Sequence, residues 1–143
     1  MKILQLGKFY PIRGGVEMVM AIFTEGLAER GYASDMLCAS HDGRVDDVIL
    51  GEESKIMRTK TLMKLAATMI SPGMIWRLRK ICREYDIIHI HHPDPMATVA
   101  LFCSGYKGKV VLHWHSDILK QKFLLHFFAP LQNWLIRRAD LIL

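Results

Sequence analysis

The chain opens on an arrangement that few folds accommodate: an apolar run starting at residue 2, a loop closing on two glycines, and a helix-patterned segment directly behind it. Lys2–Leu6 has the composition of a buried strand. Val16–Gly31 carries Val16, Val19, Met20, Phe23 and Leu27 at i, i+3, i+4, i+7 spacing, the pattern of a helix that lays one face on a sheet. Between them, the loop ends in Gly14-Gly15. Glycines at a helix start let backbone N–H groups approach a ligand closely, and the helix end itself favours an anion. Strand, glycine loop and helix together point to a phosphate-bearing ligand without saying which.

Strand and helix signals alternate along the rest of the chain. Ala33–Ser40 is a second strand, and Lys55–Thr59 a weaker one beyond a polar, acidic loop. Thr61–Ile70 reads as helical or loop-like, broken by Ser71-Pro72-Gly73. Met74–Tyr85 is a helix with Ile75, Leu78, Ile81 and Cys82 inward. Asp86–His91 is the clearest interior strand, and Pro95 starts a helix over Met96–Ser104. Lys109–His115 is another strand, Ile118–Arg138 a long helical stretch interrupted by Pro130, and Ala139–Leu143 one more strand. Such alternation predicts an α/β fold, a parallel Rossmann-like sheet with helices on both faces. Residues 1–143 read as one N-terminal domain that breaks off inside a strand, as a piece of a longer protein would.

Composition narrows the function classes. With 51% apolar and 23% charged residues the chain is globular and not disordered. No apolar run reaches the length of a membrane span, and Gly7, Lys8 and Pro11 interrupt any signal-peptide pattern. Cys38, Cys82 and Cys103 sit in apolar patterns, and the spacing predicts three buried free thiols in a reducing cytoplasm. A net charge of +5 permits an anionic partner: nucleic acid, sugar nucleotide or membrane surface. There is no G-x-G-x-x-G, no G-x-x-x-x-G-K-[ST] and no G-x-S-x-G.

Five of the seven histidines fall at two strand ends, His89, His91 and His92 in DIIHIHHPDP and His113 and His115 in VVLHWHSD. Ligands of parallel α/β sheets bind at the carboxyl ends of strands. Alternation places His89 and His91 on one face and His92 on the other, and puts His113 with His115. If the two strands are neighbours, several imidazoles converge on one crevice. These residues and Asp94 or Asp117 are of the types that ligate metals, which would suit a metal-dependent hydrolase. The spacing departs from H-x-H-x-D-H, because Pro93 takes the first acidic position. Histidines hydrogen-bonded within the core are the plainer reading of His89 and His113.

Lys120–Arg138 carries Phe123, Leu124, Phe127, Phe128, Leu131, Trp134 and Leu135 between Lys120, Lys122, Arg137 and Arg138. The stripe suits the core face of a packed helix. Basic flanks and aromatic load also suit a non-catalytic docking helix in a membrane interface.

The opening KILQLGKFYPIRGGVE, the strand DIIHIHHPDP, the segment VVLHWHSDILKQK and the closing RRADLIL occur in an order that resembles the N-terminal half of group 1 (family 4) GT-B glycosyltransferases. The likeness is strongest to members acting in bacterial surface polysaccharide synthesis. It implies the acceptor-side domain of a retaining enzyme that moves a hexosyl unit from a nucleotide sugar, UDP- or GDP-linked, to a glycan or polyprenyl-linked acceptor. His115 would lie near the transferred sugar, positioning and stabilising it. Arg13, Gly14 and Gly15 would form the loop approaching the donor diphosphate and the acceptor. His91, Ser116, Asp117, Lys8 and Tyr10 would line the cleft. Neither cofactor, metal nor nucleic acid is implied, and the setting would be cytoplasmic, peripheral at the inner face of the plasma membrane. The family's E-x7-E region and diphosphate-holding basic residues belong to a second half absent from this sequence, so the piece is expected to be inactive by itself.

Overall fold

A computed structural model describes residues 1–50, 54–65, 68–116 and 122–143, the side chains of Phe9 and of residues 122–127 excepted. In chain order the elements are β1 (Lys2–Tyr10), α1 (Gly15–Glu29), β2 (Ala33–Ser40), β3 (Asp47–Ile49), β4 (Lys55–Thr59), β5 (Met63–Leu65) and β6 (Thr68–Ile70). They continue with α2 (Gly73–Ile81), β7 (Ile87–His92), α3 (Pro95–Ser104), β8 (Lys109–Trp114), α4 (Lys122–Arg138) and β9 (Leu141–Ile142). Seven strands form one sheet in the order β3-β4-β2-β1-β7-β8-β9. Every pairing in it is parallel except that of β3 with β4.

Side-chain alternation divides the burial between two faces. Leu4, Leu6, Leu37, Ile88, Ile90, Val110 and Leu112 point to one face, where α2 adds Met74 and Leu78, α3 adds Met96, Ala97, Ala100 and Leu101, and α4 adds Leu135. On the opposite face, Met20 of α1 packs on Met36, Cys38 and Ile56. The predicted two-sided α/β architecture is therefore the observed one. α1 buries Glu17, Met20, Ala21 and Thr24, a stripe one step round from the predicted one.

Three expectations need correction. Thr61–Ile70 is neither helix nor loop: β5 and β6 form an antiparallel hairpin. Lys64 and the exposed Met63 and Leu65 hide the signal of β5, which has no buried face to impose alternation, and β6 turns only Met69 into the core. β3, read as acidic loop, is a three-residue edge strand. Cys103 is exposed rather than buried, because α3 turns Met96, Ala97, Ala100, Leu101 and Ser104 inward and leaves position 103 outside.

The strand order fixes where a ligand belongs. From central β1 the chain runs outward through β2 and β4, then crosses back to β7 on the other flank. The carboxyl ends of β1 and β7 thus border a topological switch point, where loops diverge and leave a crevice. A cavity of about 850 Å³ lies at the opposite ends of the strands, among Arg83, Tyr85, Asp86, Lys109 and Arg138.

Candidate functional site

At the switch point the backbone is arranged by one aspartate. Asp94 is the N-cap of α3: its Oδ1 accepts from the Met96 and Ala97 amides at 3.0 and 3.1 Å. Its Oδ2 accepts from the Lys8 amide, across from β1. Lys8 adopts φ +52° and Gly7 φ +134°, so β1 bulges there, and the pairing with β2 slips between Leu6 and Phe9. A Cβ on Gly7 would stand 3.3 Å from Asp94 Oδ2, in a conformation L residues rarely adopt. The bulge swings the Lys8 ammonium over to the Pro93 carbonyl, at 2.5 Å. Burial pushes the Asp94 carboxyl up, and Lys8 with the three amide donors pulls the other way. As a helix cap, Asp94 is already engaged on both oxygens, so it does not serve as the metal ligand its neighbourhood suggested.

The histidines converge as alternation predicted, because β7 and β8 are neighbours with His91 opposite His113. His89, His91, His113 and His115 share the α1 face, where Phe23 stands edge-on to His89 and His113 with ring centroids 5.0 and 5.7 Å away. The rings of His113 and His115 stack at 4.1 Å and those of His91 and His115 at 5.1 Å. On the other face, His92 stacks on Trp114 at 4.2 Å.

His91 does not line the cleft: it is fully buried. It acts through a hydrogen-bond chain. Gln5 Oε1 lies 2.8 Å from His91 Nε2, and His91 Nδ1 lies 2.9 Å from His115 Nε2. An amide oxygen can only accept, so Nε2 of His91 carries the proton and Nδ1 accepts from His115 Nε2–H. The tautomer of His115 is thereby fixed with its lone pair on Nδ1. Burial, reinforced by the neighbouring imidazoles, holds His89 down at about 4 and His91 lower still. His115 is held at about 4 by burial, then by His113 and Lys8. At neutral pH the whole chain is uncharged. Gln5 escaped sequence reasoning, although a glutamine at the centre of the strand KILQL is the signal: an amide buried there needs a partner.

The glycine loop leads into α1, whose Phe23 packs on the histidine rings. Gly14 is the extended N-cap residue of α1 and offers no side-chain cap. Glu17, the first-turn acid, is buried and folds back over it: a Cβ on Gly14 would come within 2.6 Å of Glu17 Oε2. Gly15 differs, since a Cβ there meets nothing within 4 Å. Its backbone faces open space at the positive end of the helix, where an anion is favoured. Arg13 and Ser116 are exposed, and Tyr10 is half-buried under the Arg58 guanidinium, 5.7 Å from its ring centroid. Arg58, also unforeseen, is buried and holds Asp46 and Asp42, at 2.6 and 3.2 Å, tying down the loop after β2.

Asp117 and Lys120 lie outside the described residues, as do the side chains of Lys122, Phe123 and Phe127. Of the remaining residues considered for membrane contact, Trp134 packs edge-on against Phe102 of α3 at 5.0 Å. Arg138 donates to the Gly108 carbonyl at 2.6 Å, and Arg137 is exposed.

A mostly parallel α/β sheet with Lys8 and the histidines at the carboxyl ends of its strands has the architecture of a Rossmann-like domain. The chain belongs to Glycosyltransferase Family 4, whose family pattern it matches over residues 13–143. It is 33% identical over 144 residues to O-antigen chain mannosyltransferase C of Escherichia coli and 28% identical to D-rhamnosyltransferase WbpZ of Pseudomonas aeruginosa. Each match covers 99% of this chain and 38% of the relative, so the chain spans well under half the length of these curated relatives. Among solved structures it superposes on sucrose-phosphate synthase from Thermosynechococcus elongatus with a TM-score of 0.65 at 15% identity, covering 99% of this chain and 42% of that one. This last likeness shows a shared GT-B fold.

Proposed function

We propose that this chain is the acceptor-side domain of a retaining glycosyltransferase. The protein transfers a hexosyl unit from a nucleotide sugar to a glycan or polyprenyl-linked acceptor in cell-envelope polysaccharide synthesis. The observation that carries the reading is the Gln5–His91–His115 chain at the carboxyl ends of the central strands, in a Family 4 domain whose relatives are named as a mannosyl- and a rhamnosyltransferase.

The reading divides the work among these groups. A departing nucleoside diphosphate builds negative charge, and the unencumbered Gly15 end of α1 and the Lys8 ammonium stabilise it. His115, neutral and with Nε2–H held by His91, presents Nδ1 as an acceptor for a sugar hydroxyl. A base held at about 4 binds protons too weakly to drive deprotonation at neutral pH, so His115 positions the sugar and is not the general base. The transfer itself then needs no metal. Among the described residues no helix is long and apolar enough to cross a membrane. We place the polyprenyl-linked acceptor at the cytoplasmic membrane surface, with the exposed Arg137 of α4 toward anionic lipid.

The test is nucleoside diphosphate release by the intact protein across a panel of nucleotide sugars, with and without EDTA. One donor should be turned over in EDTA, and His115→Ala should lower kcat/KM for it by about 100-fold or more. Turnover unaffected by His115→Ala would remove the histidine from the site. Turnover of no donor with any acceptor tried, or turnover abolished by EDTA, would overturn the reading.

A further inference from the structure

We propose that His89, His91 and His113 form a binding site for one borderline divalent transition-metal ion of the Zn²⁺ type, beneath α1 and behind the hydrogen-bond chain. One ring nitrogen from each of the three lies within 4.8 Å of the others. A tetrahedral shell with Zn–N bonds of about 2.0–2.1 Å separates ligand nitrogens by about 3.3 Å. Closing the triad on an ion therefore takes side-chain rotations, with no movement of the paired strands β7 and β8.

The partner pattern separates a ligand set from a ladder of packed rings. In the ion-free protein His91 is paired with His115 and Gln5, so an ion takes the place of His115 at His91 Nδ1, whereas the other two rings have nitrogens to offer. His89 Nε2 and His113 Nδ1 are buried and have no hydrogen-bond partner. His89 as a whole is only 5% exposed, so water does not compensate for the loss. An orphaned buried nitrogen is costly, and a coordinated cation offsets that cost at both atoms together. Gln5 supplies the outer support typical of metal-bound histidine: by accepting from His91 Nε2–H it fixes the ring and leaves the lone pair on Nδ1.

An all-imidazole donor set selects zinc, copper, nickel or cobalt over magnesium and calcium, which need oxygen ligands. Entry is from the β8 side, where His113 and His115 are half-buried. His91 Nδ1 cannot at once ligate an ion and accept from His115, so the ion is no partner in the transfer step. The ion-bound site and the intact hydrogen-bond chain are thus alternative states of His91, and metal-free turnover leaves the site standing.

The experiment uses tag-free intact protein, stripped with EDTA and dialysed, then titrated with ZnCl₂ by calorimetry and with CoCl₂ by visible absorption. One ion per chain should bind, and cobalt should give the intense d–d bands of a low-coordinate nitrogen site. His113→Thr, at the half-buried position, keeps the core intact and should weaken binding by about 100-fold. Gln5→Leu should weaken it by about 10-fold, while His41→Gln, at the end of β2, should leave it unchanged. Circular dichroism of each variant verifies its fold. Absence of stoichiometric binding in the wild type, or binding of equal strength in a folded His113→Thr variant, would overturn the proposal.

Discussion

Asp94 shows how much a single residue can organise. Its two oxygens take three backbone amides, two from the start of α3 and one from the Lys8 bulge of β1. It therefore welds the carboxyl ends of β1 and β7 together at the switch point. Asp94→Ala removes a helix cap, worth about 1 kcal/mol, and leaves the buried Lys8 amide without a partner, at about 1–2 kcal/mol. We expect a loss of about 2–3 kcal/mol, read as a lower urea midpoint at unchanged m. Asp94→Asn, which retains one acceptor oxygen, should recover about half of it. The Pro93-Asp94-Pro95 sequence already holds this information: aspartate before a helix-starting proline is a cap signature. Metal-ligand chemistry suggested the opposite role, because residue type alone does not reveal that an oxygen has a closer backbone partner. Gln5 and Glu17 were hidden for a related reason. Each is a polar residue whose burial depends on a partner distant in sequence or on the turn of its helix, and periodicity counts only apolar positions.

At the level of elements, legibility followed burial. β1, β2, β7 and β8 each lay apolar side chains on a packed face, so their runs of Ile, Leu and Val announced them. β3, β5 and β6 are three residues each, the first two mostly exposed and the third burying only Met69, and nothing in Asp47–Ile49 or Met63–Leu65 distinguishes strand from loop. The four-histidine face was readable from period-2 alternation alone, once β7 and β8 were taken as neighbours. The start of α1 was readable as a glycine turn, but its two glycines have different jobs. A Cβ on Gly14 would collide with Glu17, whereas one on Gly15 enters open space. Gly14→Ala should therefore lower the melting temperature by displacing a buried carboxylate. Gly15→Ala should leave stability unchanged or slightly higher, since it removes a glycine from a helix. If the Gly15 amide meets the donor diphosphate, Gly15→Ala should still cut kcat/KM about 10-fold or more by holding the phosphates off. Steady-state kinetics beside a thermal melt separates the two glycines. Equal kinetics for Gly15→Ala and wild type would place the diphosphate elsewhere.

At the scale of the whole molecule the two flanks of the sheet are finished differently. β3 is a charged, three-residue edge, bound by the Arg77–Asp47 pair at 2.7 Å to α2, and such an edge discourages further pairing. β9 at the other edge is apolar: Leu141 is 53% exposed, with Ile142 and Leu143 close behind. An exposed apolar strand edge is a template for pairing with another chain or with a later part of the same one. The relatives extend far beyond the length matched here, which makes the second occupant the natural one. Expressed by itself, this 143-residue chain should accordingly self-associate through β9 and release no nucleoside diphosphate from any donor. Ile142→Lys puts a charge on that edge, and should convert the associated species to monomer in size-exclusion chromatography with light scattering. In the intact protein the same change should instead reduce stability, because the lysine would then be forced under whatever covers β9. A chain that runs as a monomer with or without Lys at 142 would show that the edge is closed by its own chain.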